Sequence, residues 1–243
     1  MRLHTTTAHR DSGLMMIGAT GLAAGLAPWL GSGWLAVAVT GLAAAILAGA
    51  TLALRTRCQG PQPFSVADRV TLTRLALTAV LAGQLAAPSG GPQWSGYVLA
   101  AAALTALALD GVDGWLARRR GETSAFGARL DMESDALLIL VLATLVWRRE
   151  HTGGWVLLIG AWRYIFILGQ ALKPALARPL PPSQRRKAIC AVQVGVLPVC
   201  LIPALPAGLA PWLAGTALAL LCYSFIVDSH WLIRHQTAQQ PLE

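Results

Sequence analysis

Long apolar runs alternate with short polar connectors along almost the whole chain. A helix needs about 20 mostly apolar residues to cross the hydrocarbon core of a bilayer. By that measure the chain offers eight candidate spans, at 14–30, 33–54, 70–88, 94–117, 130–147, 154–172, 188–205 and 209–227. The connectors are short and carry Gly, Pro or charge, as in APSGGPQ, RREHTGG and KPALARPLPPSQRRK. Lipid gives the backbone no hydrogen-bond partner, so runs of this length span as helices. The pattern predicts an all-α polytopic membrane protein. The first run follows a basic leader with Arg2 and Arg10, as in a signal peptide. It reads as a retained anchor, because another span follows at once and no small-x-small cleavage site precedes a soluble domain. The tail holding His4 and His9 reads as disordered.

Composition supports this pattern. Of 243 residues, 55% are hydrophobic and 12% charged, whereas soluble domains carry about a quarter charged residues. The net charge of +8 does not point to nucleic acid, because the basic residues fall in clusters between apolar runs. Such clusters mark loops facing an anionic cytoplasmic leaflet. Most Lys and Arg lie in the N-terminal tail, at 55–69, 118–128 and 173–187, and in the C-terminal tail. All five segments share one side if every span crosses once. Both termini are therefore expected in the cytoplasm, and the plasma (inner) membrane is the expected location. Connectors 89–93 and 206–208 carry no charge, as an outside position requires; Arg148 and Arg149 are the exception. Cys58, Cys190, Cys200 and Cys222 show no metal spacing and read mainly as small buried apolar groups. Trp94, Trp147, Trp155 and Trp231 fall near span ends, as interface anchors do.

The stretch DGVDGWLARRRGETSAFGARLDMESD at 110–135 changes the picture from fold to chemistry. Acidic groups in a span are costly, about 2.5–3.5 kcal/mol each at the helix centre on insertion scales. Asp110 and Asp113 are three apart and share a helix face, while Gly127, Asp131 and Asp135 recur at fours and line a face of the next helix. The predicted topology puts all four acids at one depth, just inside the cytoplasmic surface. Carboxylates gathered there need a cation, and an all-oxygen set favours Mg²⁺ or Mn²⁺ over zinc. Two such ions would suit a diphosphate substrate. A cation transporter is a different reading of intramembrane acids, but it predicts acids spread through the bilayer depth or on broken spans.

Asp110-x2-Asp113-Gly114-x2-Ala117-Arg118-x8-Gly127-x3-Asp131-x3-Asp135 resembles, at all eight positions, the signature of the CDP-alcohol phosphotransferase (CDP-alcohol phosphatidyltransferase) family. The resemblance implies a six-helix core, here 61–243 with its spans from residue 70, and a usually dimeric assembly with a polar cavity at the cytoplasmic interface. Residues 1–60 would then add a tail and two accessory spans that are dispensable for chemistry. The resemblance also implies transfer of a substituted phosphoryl group from a CDP-alcohol to an acceptor alcohol, with release of CMP. CDP-diacylglycerol is the expected donor, membrane lipid the setting and phospholipid synthesis the purpose. A choline- or ethanolamine-type enzyme with diacylglycerol as acceptor is the alternative within the class.

Residue by residue, the same likeness makes Asp110, Asp113, Asp131 and Asp135 a site for two ions, with Asp135 also the general base. It places Gly114, Ala117, Arg118 and Gly127 against the CDP-alcohol. ADRVTLTRLAL is similar to the family's PN-x-[IL]-T-x2-R, keeping Thr71 and Arg74 as donor-site candidates, with Asp68 in place of Asn. RRKAICAVQ is similar to GK-x2-T-x2-Q, keeping Lys187 and Gln193, with Arg186 and Cys190 as departures. Arg163, midway along a span, is a candidate site residue by position alone. Arg163, Lys187 and Arg186 are the candidates for binding an acceptor such as glycerol phosphate.

Overall fold

The computed structural model describes residues 2–58, 64–88, 91–120, 124–172, 183–206 and 208–234. Among these residues there are eight α-helices and no strand: α1 Arg2–Leu30, α2 Gly33–Cys58, α3 Val66–Gly83, α4 Ser95–Arg120, α5 Ala125–Arg148, α6 Leu157–Leu172, α7 Gln184–Cys200 and α8 Leu209–Arg234. The all-α expectation holds. Five stretches are long and apolar enough to cross a membrane: Arg10–Leu30, Gly33–Cys58, Ser95–Leu116, Gly154–Leu172 and Leu209–Leu232. The other three expected spans fall short of that measure, two by charge and one by length. α3 carries Asp68, Arg69 and Arg74 and α5 carries Asp131, Glu133 and Asp135, whereas α7 is 17 residues long. The tail expected to be disordered is also corrected, since α1 begins at Arg2. Asp11 fastens this helix to α3 through Arg69, 3.1 Å away.

Capping residues set the helix starts that apolar periodicity placed too late. Ser65 accepts a hydrogen bond from the Asp68 N–H at 3.0 Å, and the Asp68 carboxylate accepts one from the Ser65 N–H at 2.9 Å. This capping box starts α3 at Val66 rather than residue 70. Ser124 likewise accepts from the Gly127 N–H at 2.9 Å, starting α5 at Ala125 rather than 130.

Helix α3 is the hub, packing on α1, α2, α4 and α5, whereas α4 and α5 touch each other only over a short stretch. Close approach explains two glycines. A Cβ on Gly83 would lie 2.6 Å from the Ala36 carbonyl oxygen of α2, and one on Gly160 would lie 2.5 Å from the Leu140 Cα of α5. Neither neighbour is a flexible side chain, so these crossings require Gly. The main core lies along the halves of α4, α5, α7 and α8 remote from the aspartates, with Leu99, Leu142, Val146, Leu197 and Leu201 all buried. Beyond it, the exceptional arginines of the sequence act as staples. Arg149 donates to the Ser95 hydroxyl at 2.7 Å and Arg148 to the Ala87 carbonyl at 3.3 Å, tying the end of α5 to the segment before α4.

Candidate functional site

A buried arginine organises the site. Arg74, on the third turn of α3, is 1% exposed, and its guanidinium reaches three acids on two other helices. Nη1 lies 2.8 Å from Asp110 Oδ1 of α4 and 2.6 Å from Asp131 Oδ1 of α5, while Nη2 pairs with Asp135 Oδ1. One helix thus inserts a planar, permanently charged fork between the two acid-bearing helices. A buried cation without partners would cost several kcal/mol, and the three carboxylates offset that cost. The converse also holds, since three acids at one place would repel without a cation.

The carboxylates are not sealed. The side chains of Asp110, Asp131 and Asp135 keep 34, 44 and 27% of their exposure, so a polar ligand can approach them from the side away from Arg74. One oxygen from each acid falls within a 4.8 Å group, a set that could hold a metal ion. The donors are hard oxygens, and the Arg74 guanidinium already shows the pocket's match to positive charge. On both counts a divalent cation of the Mg²⁺ or Mn²⁺ class fits.

The other residues singled out from sequence are distributed around this centre. Gly114 is half-buried, one turn beyond Asp110 on α4. Gly127 sits where an added Cβ would meet Asp68 Oδ1 and Ser124 Oγ at 3.2 Å each, so its smallness serves the junction of α3 with α5. Thr71 is buried one turn before Arg74, and its hydroxyl donates to the Ala67 carbonyl at 3.2 Å. Cys190, one of the departures in the α7 segment, lies on a helix that packs on both α4 and α5. Asp113, Ala117 and Arg118 lie on α4 and Lys187 on α7, but their side chains are outside the described residues.

Three partners were not anticipated from sequence. Glu133 of α5 accepts from Arg163 of α6 at 2.6 Å. It stands two residues from both Asp131 and Asp135, which turns it to another helix face and explains why an i, i+4 reading passes over it. Asp228 of α8 holds Arg185 at 2.5 Å and Arg186 at 3.6 Å, so the start of α7 is pinned by an acid on the last helix. Arg55 of α2 is buried with its guanidinium 4.1 Å from the centroid of the Phe64 ring, and Phe64 in turn packs on Phe126 at 6.1 Å. Its only sequence signal was a place at the basic end of an apolar run.

Comparison with known proteins agrees with this geometry. A cardiolipin synthase (CMP-forming) from Streptomyces coelicolor is 36% identical over 95 residues, covering 38% of this chain and 44% of that relative. The alignment therefore spans less than half of the relative's length. No solved structure matches the chain. A sequence model of the CDP-alcohol phosphatidyltransferases matches residues 64–225, a segment that holds Arg74 and all four aspartates. The chain is a membrane-embedded member of the CDP-alcohol phosphatidyltransferase family.

Proposed function

We propose that this chain transfers a phosphatidyl group from CDP-diacylglycerol to an acceptor alcohol and releases CMP, as a step of phospholipid synthesis. The observation that carries the reading is the convergence of Asp110, Asp131 and Asp135 on one accessible point at one end of the bundle. Asp113 completes the set by its place in the signature. When bound, two Mg²⁺ or Mn²⁺ ions on these acids would neutralise charge on the donor's diphosphate. Asp135 accepts the proton of the acceptor hydroxyl. The hydroxyl oxygen forms a bond to the lipid-bearing phosphorus, and the bond from that phosphorus to the CMP oxygen breaks. Arg118 steadies the diphosphate, while Gly114, Ala117 and Gly127 let cytidine and ribose approach the backbone. Arg74 and Thr71 act from α3. Arg74 orients the acids and, with its positive charge, limits their mutual repulsion.

The acceptor in this reading is a phosphorylated glycerol, glycerol phosphate in the first instance. Its charge would repel the acids, and the cations opposite them offset that repulsion: Arg163, Arg186 and Lys187, the first two already held in place by Glu133 and Asp228. The relative named for cardiolipin synthesis favours a second reading, in which the acceptor is itself a membrane phospholipid. The catalytic unit is 61–243, working as a homodimer. In this reading the site faces the cytoplasm from the plasma membrane, an orientation that the basic connectors support.

Reconstituted full-length chain given isotope-labelled CDP-diacylglycerol tests the reading, with glycerol phosphate or phosphatidylglycerol as acceptor. Label should appear in a new lipid together with CMP, and the acceptor that supports it selects between the two readings. Excess EDTA should stop the reaction and added Mg²⁺ or Mn²⁺ restore it. Full turnover in EDTA would overturn the metal assignment, and no CMP with any alcohol would overturn the transferase assignment.

A further inference from the structure

The flank of α5 turned away from Asp131 and Asp135 borders a groove that shares only Glu133 with the site residues described above. This groove of about 490 Å³ runs between the last turns of α2, the middle of α3 and the first turns of α5. Its walls include Leu54, Leu75, Leu130 and Leu137, and Arg57 and Arg129 line the end nearest the helix termini. The groove is therefore divided along its length, cationic at one end and mostly aliphatic beyond, with Thr51, Glu133 and Ser134 the polar residues of its wall. Both arginines are exposed, and among the described residues neither has an acid partner. Glu133, the one acid on the wall, is engaged by Arg163 from α6. Two like charges facing one groove repel each other, and an anion between them would relieve that repulsion. Ser134 also lines the groove, and its buried hydroxyl has no hydrogen-bond partner among the described residues.

From this charge division we infer that the α2–α5 groove is a binding site for an anionic diacylphospholipid of the surrounding bilayer. The phosphodiester sits between Arg57 and Arg129, through charge-assisted hydrogen bonds from their guanidinium groups. An acyl chain follows Leu54 and Leu137 toward the bilayer centre. Basic pockets between membrane helices take lipid head groups by the same physics. The site also accounts for α2, which precedes the segment shared with the family. This helix forms one wall of the groove and docks on α5, the helix that carries Asp131 and Asp135. The bound lipid is resident rather than reacting, so the inference stands or falls separately from the transferase reading.

The test is native mass spectrometry of the full chain in detergent, titrated with phosphatidylserine, which has no free alcohol to accept a phosphatidyl group. Phosphatidylcholine at equal concentration is the control. The wild type should retain one phosphatidylserine in preference to phosphatidylcholine. Arg57→Gln with Arg129→Gln should weaken that retention by about 30-fold, the equivalent of two surface cations. Leu54→Trp, which fills the aliphatic part and leaves the charge intact, should weaken it as well. Equal retention of both lipids, or no change in the double variant, would overturn the inference. The double variant should release CMP at the wild-type rate, and a matching loss of turnover would overturn the inference too, by making the groove part of the substrate site.

Discussion

At one end of the bundle Arg74, Asp110, Asp131 and Asp135 crowd the space between α3, α4 and α5. At the other, Leu142, Val146, Leu197 and Leu201 fill equivalent space with side chains that need no particular partner. Helices α4 and α5 run through both ends, joined by α3 with its Arg74 at the polar one and by α7 and α8 at the apolar one. In the apolar half each residue contributes by area and fit, so losses are local and graded. In the polar half every group is unfavourable alone and acceptable only because the others are present. Function is placed where the helices depend on one another, and tolerance is placed where they do not.

Several substitutions would break or sharpen that contrast. The largest effect is expected at Asp135. Asp135→Asn should lower CMP release by about 10²–10⁴-fold, the usual contribution of a positioned general base, with the helical circular dichroism and elution volume unchanged. Near-normal turnover would remove Asp135 from the base role. Arg74→Met should follow, lowering stability by about 3–5 kcal/mol because it leaves three carboxylates without their buried cation. If the denaturation midpoint of that variant matches the wild type, Arg74 does not organise the polar end. Leu142→Ala, in the apolar half, should cost about 2–5 kcal/mol through its cavity. Turnover per folded molecule should stay the same, and a matching loss of turnover would mean that the two halves are coupled.

The smallest effect concerns acid. His151, in the connector beyond α5, is held below its ordinary pKa of 6.5 by burial and then by the Arg149 charge. The unfolded chain therefore binds a proton there more readily than the folded one, so stability falls as pH drops below about 6.5. His151→Gln should flatten the dependence of melting temperature on pH between about 7.5 and 5. An unchanged slope would mean that the histidine does not feel its surroundings.

The parts legible in the sequence were those written as local periodicity. Aspartates at fixed spacings on two apolar runs announced one shared face, and the structure brings Asp110, Asp131 and Asp135 together. Eight helices were visible as apolar runs, yet the starts of α3 and α5 were not, because capping by Ser65 and Ser124 extends each helix beyond its apolar residues. The pairs Arg163–Glu133 and Arg185–Asp228 join residues 30 and 43 positions apart. No periodicity along one helix encodes a partner on another. The spacings of the acids do not show the wedge between α4 and α5, since the sequence places Arg74 in a separate run with nothing to say where it packs.

That wedge also bears on biosynthesis. Arg74 leaves the ribosome 57 and 61 residues ahead of Asp131 and Asp135, the partners that make its burial tolerable. Until α5 emerges, Asp110 is the one of its three acids already made, so α3 carries a poorly compensated Arg74 toward lipid, at a cost of up to about 2.5–3.5 kcal/mol on insertion scales. An 18-residue helix with this handicap rests at the interface until α5 arrives and draws it inward, so the catalytic end is the last part of these three helices to take its final depth. Nascent chains stopped before Asp131 and after Val146 would show this directly. Only the longer one should hold α3 against alkaline extraction from microsomes, and equal retention in both would mean that α3 inserts unaided.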